Sequence, residues 1–228
     1  TPELLEALDS CDDVEIPPLP GGRSWPVLPL HIKCSNQRIL LQQGTRLEAK
    51  RWAYKGRGDH LLHLDRVANI SIIGQPGATL RMHRDDYANA SLYNHSEGRH
   101  AIALLGAIDI TIQGVVVRES GGDGIYIGTG GLQVHGAFCQ NIKVLDTVLT
   151  ENYRQGMSVI AVEALVVENT VLSANNGPAP EAGVDFAPND AAHPLRGIRF
   201  PHVTPSRNPR RAFQFRPTKY NESTPPIP

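Results

Sequence analysis

A short apolar phrase returns along this chain of 228 residues and constrains its fold more than any other feature. The phrase is an apolar residue, a variable residue and a second apolar residue. It begins at Ile70, Ile110, Ile142, Leu165 and Ile198. Regular units with loops of variable length between them are typical of a solenoid, in which each coil stacks on the next to bury its apolar face.

Each repeat carries two further signals. An Asn recurs after the phrase, at Asn152, Asn175 and Asn208, and Asn suits left-handed turns and can form hydrogen-bonded ladders. A third strand with period-2 alternation follows at residues 124–127, 156–159, 183–186 and 212–215. Three short strands per coil predict an all-β right-handed parallel β-helix solenoid.

The two ends of the solenoid are predicted to differ. Residues 2–9 begin with Pro and Glu and place Leu4, Leu5 and Leu8 on one face, which predicts a short helix that caps the first coil. We predict a single domain over residues 1–215 and a Pro-rich C-terminal tail over residues 216–228. No cap is evident at that end, so we expect either a fragment or a homo-oligomer that covers it.

Charge and cysteine content narrow the function classes. A formal net charge of −1 gives no reason to expect a nucleic-acid or membrane partner. No apolar run reaches the length of a transmembrane helix. The three cysteines, Cys11, Cys34 and Cys139, show no metal spacing, and we expect buried thiols, with a Cys11–Cys34 disulfide as the alternative.

Polar side chains are predicted to line one outer face of the third strands. Parallel strands lie about 4.8 Å apart, so matching positions of successive coils become neighbours. The matching positions that carry polar or aromatic side chains are Arg99 and Arg154, then His100, Asp123 and Gln155, and then Tyr126, Ser158, Asp185 and Gln214. Carboxylates, Arg and an aromatic ring in one strip are typical of a groove for sugars.

Asp123, Asp185 and Arg154 are the candidate catalytic residues. Asp123 lies in a Gly-Gly-Asp-Gly sequence that keeps its side chain accessible, although it could equally serve as a turn residue. Strict register places the backbones of Asp123 and Asp185 about 14 Å apart, more than the roughly 6.5–9.5 Å between the carboxyl groups of an inverting glycosidase. A loop acid such as Asp85, Asp86 or Glu181 would then have to act as the partner.

Three segments carry a family resemblance: residues 69–74, 122–128 and 152–160. They resemble coils of the pectin-lyase-like superfamily of right-handed parallel β-helices, over about residues 14–200. The superfamily includes polysaccharide lyases, glycoside hydrolases such as polygalacturonases, alginate epimerases and phage tailspikes. The polygalacturonase motifs are absent apart from Asp123-Gly124. The resemblance implies a carbohydrate-active protein that is secreted or periplasmic and takes a polysaccharide or oligosaccharide.

We expect a polysaccharide-cleaving glycoside hydrolase, with Asp123 and Asp185 as its carboxylates. The predicted substrate-binding residues are Arg99, His100, Tyr126, Gln155, Ser158 and Glu181. No cofactor or metal site is predicted for a hydrolase. One alternative is a uronate polysaccharide lyase with Arg154 as the base and Ca²⁺ held by acidic side chains. Another is a non-catalytic, tailspike-like carbohydrate-binding module, and a third is an inactive fragment.

Overall fold

The computed structural model describes residues 2–130 and 137–217 and has an all-β architecture of seven stacked coils. Helix α1 spans Pro2–Asp9. The first two coils contain β1 (Val14–Ile16), a 3₁₀ turn (Pro20–Gly22), β2 (Trp25–Val27), β3 (Leu30–Ile32), β4 (Gln37–Leu41), β5 (Arg46–Ala49) and β6 (Leu62–Asp65). The next two contain β7 (Ala68–Gly74), β8 (Thr79–Arg81), helix α2 (Arg84–Ala88), β9 (Ile102–Leu105), β10 (Ile108–Gln113), β11 (Val116–Arg118) and β12 (Ile125–Gly128).

Three further coils follow in the described residues. They contain β13 (Cys139–Leu145), β14 (Val148–Thr150), β15 (Met157–Val159), β16 (Val162–Glu168), β17 (Val171–Ser173), β18 (Ala182–Phe186), β19 (Leu195–Arg199), β20 (Thr204–Ser206) and β21 (Arg211–Phe215). The first strands of the coils form the first sheet, the second strands the second sheet and the third strands the third sheet, each with seven parallel strands. The predicted parallel β-helix with a short N-terminal helix is therefore confirmed.

The repeated phrase forms one column of the first sheet. Ile110 pairs with Ile70 on one side and Ile142 on the other, and Leu165 continues the column to Ile198. The four members from the third to the sixth coil are fully buried. Burying one such side chain stabilises a fold by about 1.5–3 kcal/mol, so these columns supply the main driving force for coil stacking.

The predicted Asn ladder is present at the turn after the second sheet. Asn152 Nδ2 donates to Asn175 Oδ1 (2.9 Å), and Asn175 Nδ2 donates to Asn208 Oδ1 (3.0 Å). The same oxygens accept hydrogen bonds from the backbone N–H groups of Asn152 and Asn175. Each Asn thus satisfies a buried backbone group that a tight turn leaves unpaired, which fixes the path of the chain into the third sheet.

Helix α1 covers the core at the first coil, as predicted. Leu4 and Leu8 are buried against the core, and Gln37 Nε2 donates to the carbonyl oxygen of Leu8 (3.1 Å). The described helices α1 and α2 are both too short to cross a membrane. The apolar face of α1 packs on the core through Leu4 and Leu8.

The expectation of three buried thiols is wrong for two of the cysteines. Cys11 and Cys34 form a disulfide with their Cα atoms 5.2 Å apart, whereas Cys139 is a buried thiol. Cys11 precedes the first strand and Cys34 follows the third, so one full turn of the coil brings them together. This proximity is not apparent from the sequence, in which the two cysteines are 23 residues apart.

Contacts with the solenoid continue past the predicted domain end at residue 215. The backbone N–H of Arg216 donates to the carbonyl oxygen of Phe186 (2.8 Å). The rest of the predicted tail, residues 218–228, lies outside the described residues.

Candidate functional site

The outer face of the third sheet has the register that the sequence predicted. Tyr126 pairs with Ala103 and Ser158, and Asp185 pairs with Ser158 and Gln214. The sequence did not indicate how deeply this column is covered, because Ser158, Asp185 and Gln214 are all buried. The loops that follow and precede the strands therefore close over the strip, and only parts of it reach solvent.

Glycines around Asp123 let neighbouring segments approach it closely. A Cβ atom on Gly122 would overlap the carbonyl oxygen of Glu97, and one on Gly124 would lie 2.6 Å from the carbonyl oxygen of Gly156. Residues 82–99 and the following coil both occupy this space. The Gly-Gly-Asp-Gly sequence thus packs Asp123 into the floor of the site, and the prediction of an accessible turn Asp is wrong because that side chain is 0% exposed.

His100 is the nearest ring to Asp123. The backbone N–H of Asp123 donates to His100 Nδ1 (3.0 Å), and Asp123 Oδ2 lies 3.3 Å from the same nitrogen. A nitrogen that accepts this bond carries no proton. Burial lowers the pKa of His100 well below its usual value, and the charges of His60 and Arg154 lower it further. His100 is therefore a neutral ring, and its contact with Asp123 is not an ion pair.

Burial raises the pKa of Asp123 to about 7. The positive charge of Arg154, whose Nη1 lies 3.7 Å from Asp123 Oδ1, opposes the rise, as does the nearby Ser158 hydroxyl. The negative charges of Asp185 and Glu97 add to it. Among the described residues, neither oxygen of Asp123 accepts a well-aligned hydrogen bond. Asp123 is thus a carboxyl group that holds its proton near neutral pH.

Arg154 lies between Asp123 and solvent. Its side chain is 16% exposed, and its Nε lies 3.1 Å from Glu97 Oε2, whose side chain is 43% exposed. The order from floor to surface is therefore Asp123, Arg154 and Glu97. The structure thus places the candidate catalytic residue Arg154 beside Asp123 and Glu97. No role was predicted for Glu97, because the conformation of a long insertion cannot be deduced from coil register.

Asp185 lies on the other side of Ser158 from Asp123. Its Oδ2 accepts a hydrogen bond from Arg216 Nη2 (2.7 Å), and it is almost completely buried. Gln155 Nε2 donates to the Ser158 hydroxyl, so this pair separates the two carboxyl groups. The contribution of Asp185 to the raised pKa of Asp123 shows that the two groups interact although their backbones belong to different coils.

Tyr126 belongs to a stack of rings that the sequence did not reveal. Its ring lies 4.6 Å from that of His100 at an interplanar angle of 12°, and His60 stacks on His100 at 5.2 Å. His63 and His31 extend the series along the third sheet. Burial raises the pKa of Tyr126 to about 12, so the phenol stays protonated. One face of the Tyr126 ring is thus occupied by His100, and Gly128 lies close to the ring.

Two predicted substrate-binding residues lie elsewhere. Arg99 is fully buried beneath residues 82–98 and donates to the carbonyl oxygens of Tyr54 (3.0 Å) and Asn94 (3.1 Å), so its position contradicts a substrate contact. Glu181 is committed to an ion pair with Arg210 of the next coil, at 2.6 Å from Oε2 to Nε. Both side chains hold loops against the coils. The coil register alone does not distinguish this role from exposure in a groove.

No group of three or more His, Cys, Asp or Glu side chains in the described part of the chain is arranged to hold a metal ion. The described site contains carboxyl groups, the guanidinium groups of Arg154 and Arg216, aromatic rings, the Ser158 hydroxyl and the Gln155 amide.

Comparisons with known proteins bear on the fold. No protein-family model matches the sequence, and no curated protein matches it either. The structure is similar to the crystal structure of a candidate glycosyl hydrolase from Parabacteroides merdae, with a TM-score of 0.63 and 15% sequence identity over 90% of this chain and 88% of that chain. At this identity the likeness establishes the shared β-helix architecture and leaves the activity to be argued from the site.

Proposed function

We propose that this chain is a polysaccharide-cleaving glycoside hydrolase of the pectin-lyase-like superfamily. The observation that carries the proposal is the Asp123 carboxyl group, whose pKa is raised to about 7 beside Arg154 and two further carboxyl groups. A group that holds a proton near neutral pH can donate it to a departing glycosidic oxygen. The P. merdae structure, named as a candidate glycosyl hydrolase, agrees with this class.

The loop acids that could have acted as the partner of Asp123 are engaged in other ion pairs: Asp85 with Arg84, Asp86 with Arg51 and Glu181 with Arg210. The charge of Asp185 acts on Asp123, so in the proposed reaction Asp123 and Asp185 are the two carboxyl groups and have different roles. Asp123 transfers its proton to the glycosidic oxygen as the bond from that oxygen to the anomeric carbon breaks. Asp185, ion-paired with Arg216, takes a proton from the water molecule that attacks the anomeric carbon. Ser158 and Gln155 lie between the two groups and are suited to bind sugar hydroxyls, and Tyr126 supplies a ring face.

Access to Asp123 requires the Arg154–Glu97 pair to open. A carboxylate of the substrate could replace Glu97 on Arg154, because a guanidinium group binds a sugar carboxylate as readily as a protein carboxylate. The proposed substrate is therefore a polysaccharide or oligosaccharide that contains uronate residues. We propose no nucleic-acid or membrane partner and no cofactor for the hydrolytic reaction.

The test is a panel of neutral and uronate-containing polysaccharides assayed for new reducing ends. Wild-type protein should release reducing ends from a uronate-containing member, and Asp123→Asn and Asp185→Asn should each lower the rate by at least about 100-fold. Asp109→Asn, at an exposed ladder position of the first sheet, is the matched control and should retain full activity. Products with the ultraviolet absorbance of unsaturated uronides would instead indicate the lyase, with Arg154 as base and Ca²⁺ as its cofactor.

Glycan binding without turnover that survives both Asp substitutions would indicate the carbohydrate-binding module and overturn the hydrolase proposal. The anomeric configuration of the first product, followed by proton NMR, would assign an inverting or retaining course.

We further propose that the protein acts in an oxidising compartment, either outside the cell or in the periplasm. The Cys11–Cys34 disulfide supports this location, because such bonds persist mainly in oxidising compartments. Thiol titration of freshly isolated, denatured protein should find one free thiol, from Cys139, whereas three would argue against the location.

A further inference from the structure

The last coil exposes an aromatic groove that the proposed hydrolase activity does not use. Phe213 and Phe215 are 43% and 51% exposed, respectively. Together with Phe186, Leu195, Ile198 and Phe200 they line a groove of about 400 Å³. The Phe200 ring contacts those of Phe186 and Phe213 edge to face, with ring centroids 5.8 and 5.5 Å apart. Contiguous exposed aromatic surface of this kind is typical of an interface.

The opposite end of the solenoid also exposes apolar side chains. Leu28, which follows β2 in the first coil, is 45% exposed, and prolines at 17, 18, 20 and 26 are exposed around it. Four large apolar side chains are strongly exposed among the described residues, and three of them, Leu28, Phe213 and Phe215, belong to the two end coils. The exposed large apolar side chains are thus concentrated in the two end coils.

The two ends have opposite charge. Residues 1–22 contain six acidic residues and no Lys or Arg; the acids are Glu3, Glu6, Asp9, Asp12, Asp13 and Glu15. Residues 191–217 contain six Arg and no acid; they are Arg196, Arg199, Arg207, Arg210, Arg211 and Arg216. Only Arg210 and Arg216 of these form ion pairs among the described residues, with Glu181 and Asp185. Most of the charge at the last coil therefore remains available to an acidic surface.

We propose that the aromatic groove of one chain binds the first coil of a second copy, head to tail along the solenoid axis. The strand order supports this arrangement, because β1, β2 and β3 form one edge of the three sheets and β19, β20 and β21 form the other. A tail-to-tail dimer would place two Arg-rich coils together, which charge repulsion disfavours. A head-to-tail contact leaves a free end on each chain, so association continues into linear oligomers.

The groove is lined from the first and third sheets, and the second sheet offers little backbone pairing across the contact. Pro26 in β2 and Pro205 in β20 lack backbone N–H groups, so neither edge offers a full set of donors for strand pairing. The proposed occupant of the groove is the Pro-rich and acidic surface of the first coil of a second copy. Its prolines match the apolar lining of the groove, and its acidic residues match the Arg residues of the last coil.

Charge reversal at each end tests the proposal in the full chain. Glu6→Lys with Asp12→Lys gives a head-reversed variant, and Arg196→Glu with Arg199→Glu gives a tail-reversed variant; all four side chains are exposed. Lys50→Glu with Lys143→Glu is the matched control, because both residues are exposed and lie outside the end coils. Sedimentation velocity from about 10 to 300 µM spans the range in which weak interfaces form.

We expect the weight-average mass of the wild type and the control to rise by at least about twofold over this range. Each reversed variant should remain monomeric. An equimolar mixture of the two reversed variants should associate again, because each head then meets a tail of opposite charge. Circular dichroism of each variant confirms that folding is unchanged.

Two results would overturn the proposal. A monomeric wild type at the highest concentration would mean that nothing binds the groove or that residues 218–228 of the same chain cover it. A dimer that stops at two copies, is lost only in the tail-reversed variant and does not return in the mixture would show tail-to-tail association. Neither result bears on the Asp123 proposal, which is tested by turnover.

Discussion

At the scale of single residues, the proposed chemistry depends on the burial of Asp123. Removal from water disfavours the carboxylate form, and one guanidinium group at 3.7 Å from Oδ1 offsets this only in part. Asp123 is therefore a buried proton donor at the base of the candidate site. The same burial carries a cost in stability, because the unfolded chain would ionise this group freely at neutral pH.

The first prediction concerns that cost. The pKa of Asp123 is about 7 in the folded chain against 3.8 for an exposed carboxyl, so the folded state binds one more proton between these values. Stability is therefore lost as pH rises from about 4 to 7, by up to about 4 kcal/mol. Asp123→Asn should be more stable than the wild type by about 2–4 kcal/mol at pH 8 and nearly equal to it at pH 4, as measured by urea unfolding.

The control for this measurement is Asp109→Asn, which should show the same small difference at both pH values. An Asp123→Asn variant whose stability relative to the wild type does not change with pH would contradict the raised pKa.

A second prediction concerns the rate. If Asp123 donates the proton, kcat/KM should fall about tenfold for each pH unit above about 7, because the donor is then ionised. Glu97→Gln should shift the midpoint of this fall to lower pH, since the charge of Glu97 contributes to the raised pKa. A midpoint that stays fixed in Glu97→Gln would assign the fall to another group.

At the scale of elements, residues 82–99 act as a cover that the glycines near Asp123 allow to close. Gly121 and Gly122 lie directly against Tyr87 and Glu97 of this segment. The sequence predicted loop acids in this segment, at Asp85 and Asp86. The contacts of Arg99 and Glu97 could not be predicted, because an insertion follows no repeat and its side chains are placed by packing alone.

The third prediction tests this close approach. Gly122→Ala should lower kcat/KM by at least about tenfold and the free energy of unfolding by about 1–3 kcal/mol, because the new methyl group overlaps the Glu97 carbonyl oxygen. Gly58→Ala is the matched control, since a Cβ at Gly58 meets no atom within 4 Å. Activity assays and urea unfolding report the two effects separately. Equal behaviour of the two variants would mean that the cover adjusts freely.

The N-terminal cap is a second element whose strength can be measured. The Cys11–Cys34 disulfide joins the segment after α1 to the end of the first coil, across a sequence separation of 23 residues. The fourth prediction is that Cys11→Ser with Cys34→Ser lowers the free energy of unfolding by about 2–4 kcal/mol. Cys139→Ser provides the comparison for loss of a buried thiol. No loss of stability in the double variant would show that Leu4 and Leu8 hold the cap unaided.

At the scale of the whole molecule, the fold could be predicted because coil stacking turns sequence repeats into spatial columns. The register of Ile110 with Ile142, of Tyr126 with Ser158 and the Asn152–Asn175 ladder all follow from the repeat. The repeat did not predict the surroundings of the candidate catalytic residues. Asp123 and Asp185 could be assigned to positions in the coils, but the burial that gives Asp123 its pKa comes from segments outside the repeat.

The coil from Ile142 to Leu165 advances by 23 residues with no insertion, and it supplies Arg154, Gln155 and Ser158. The strands of each coil pair only with those of the coils on either side, so a tandem duplication of this one unit would lengthen the molecule by a single strand spacing of about 4.8 Å. If the chain is the proposed hydrolase, the length of its substrate groove would then change in whole steps of one coil. Evolution or protein design could change the length of the groove by adding or removing whole coils, without altering the remaining coils.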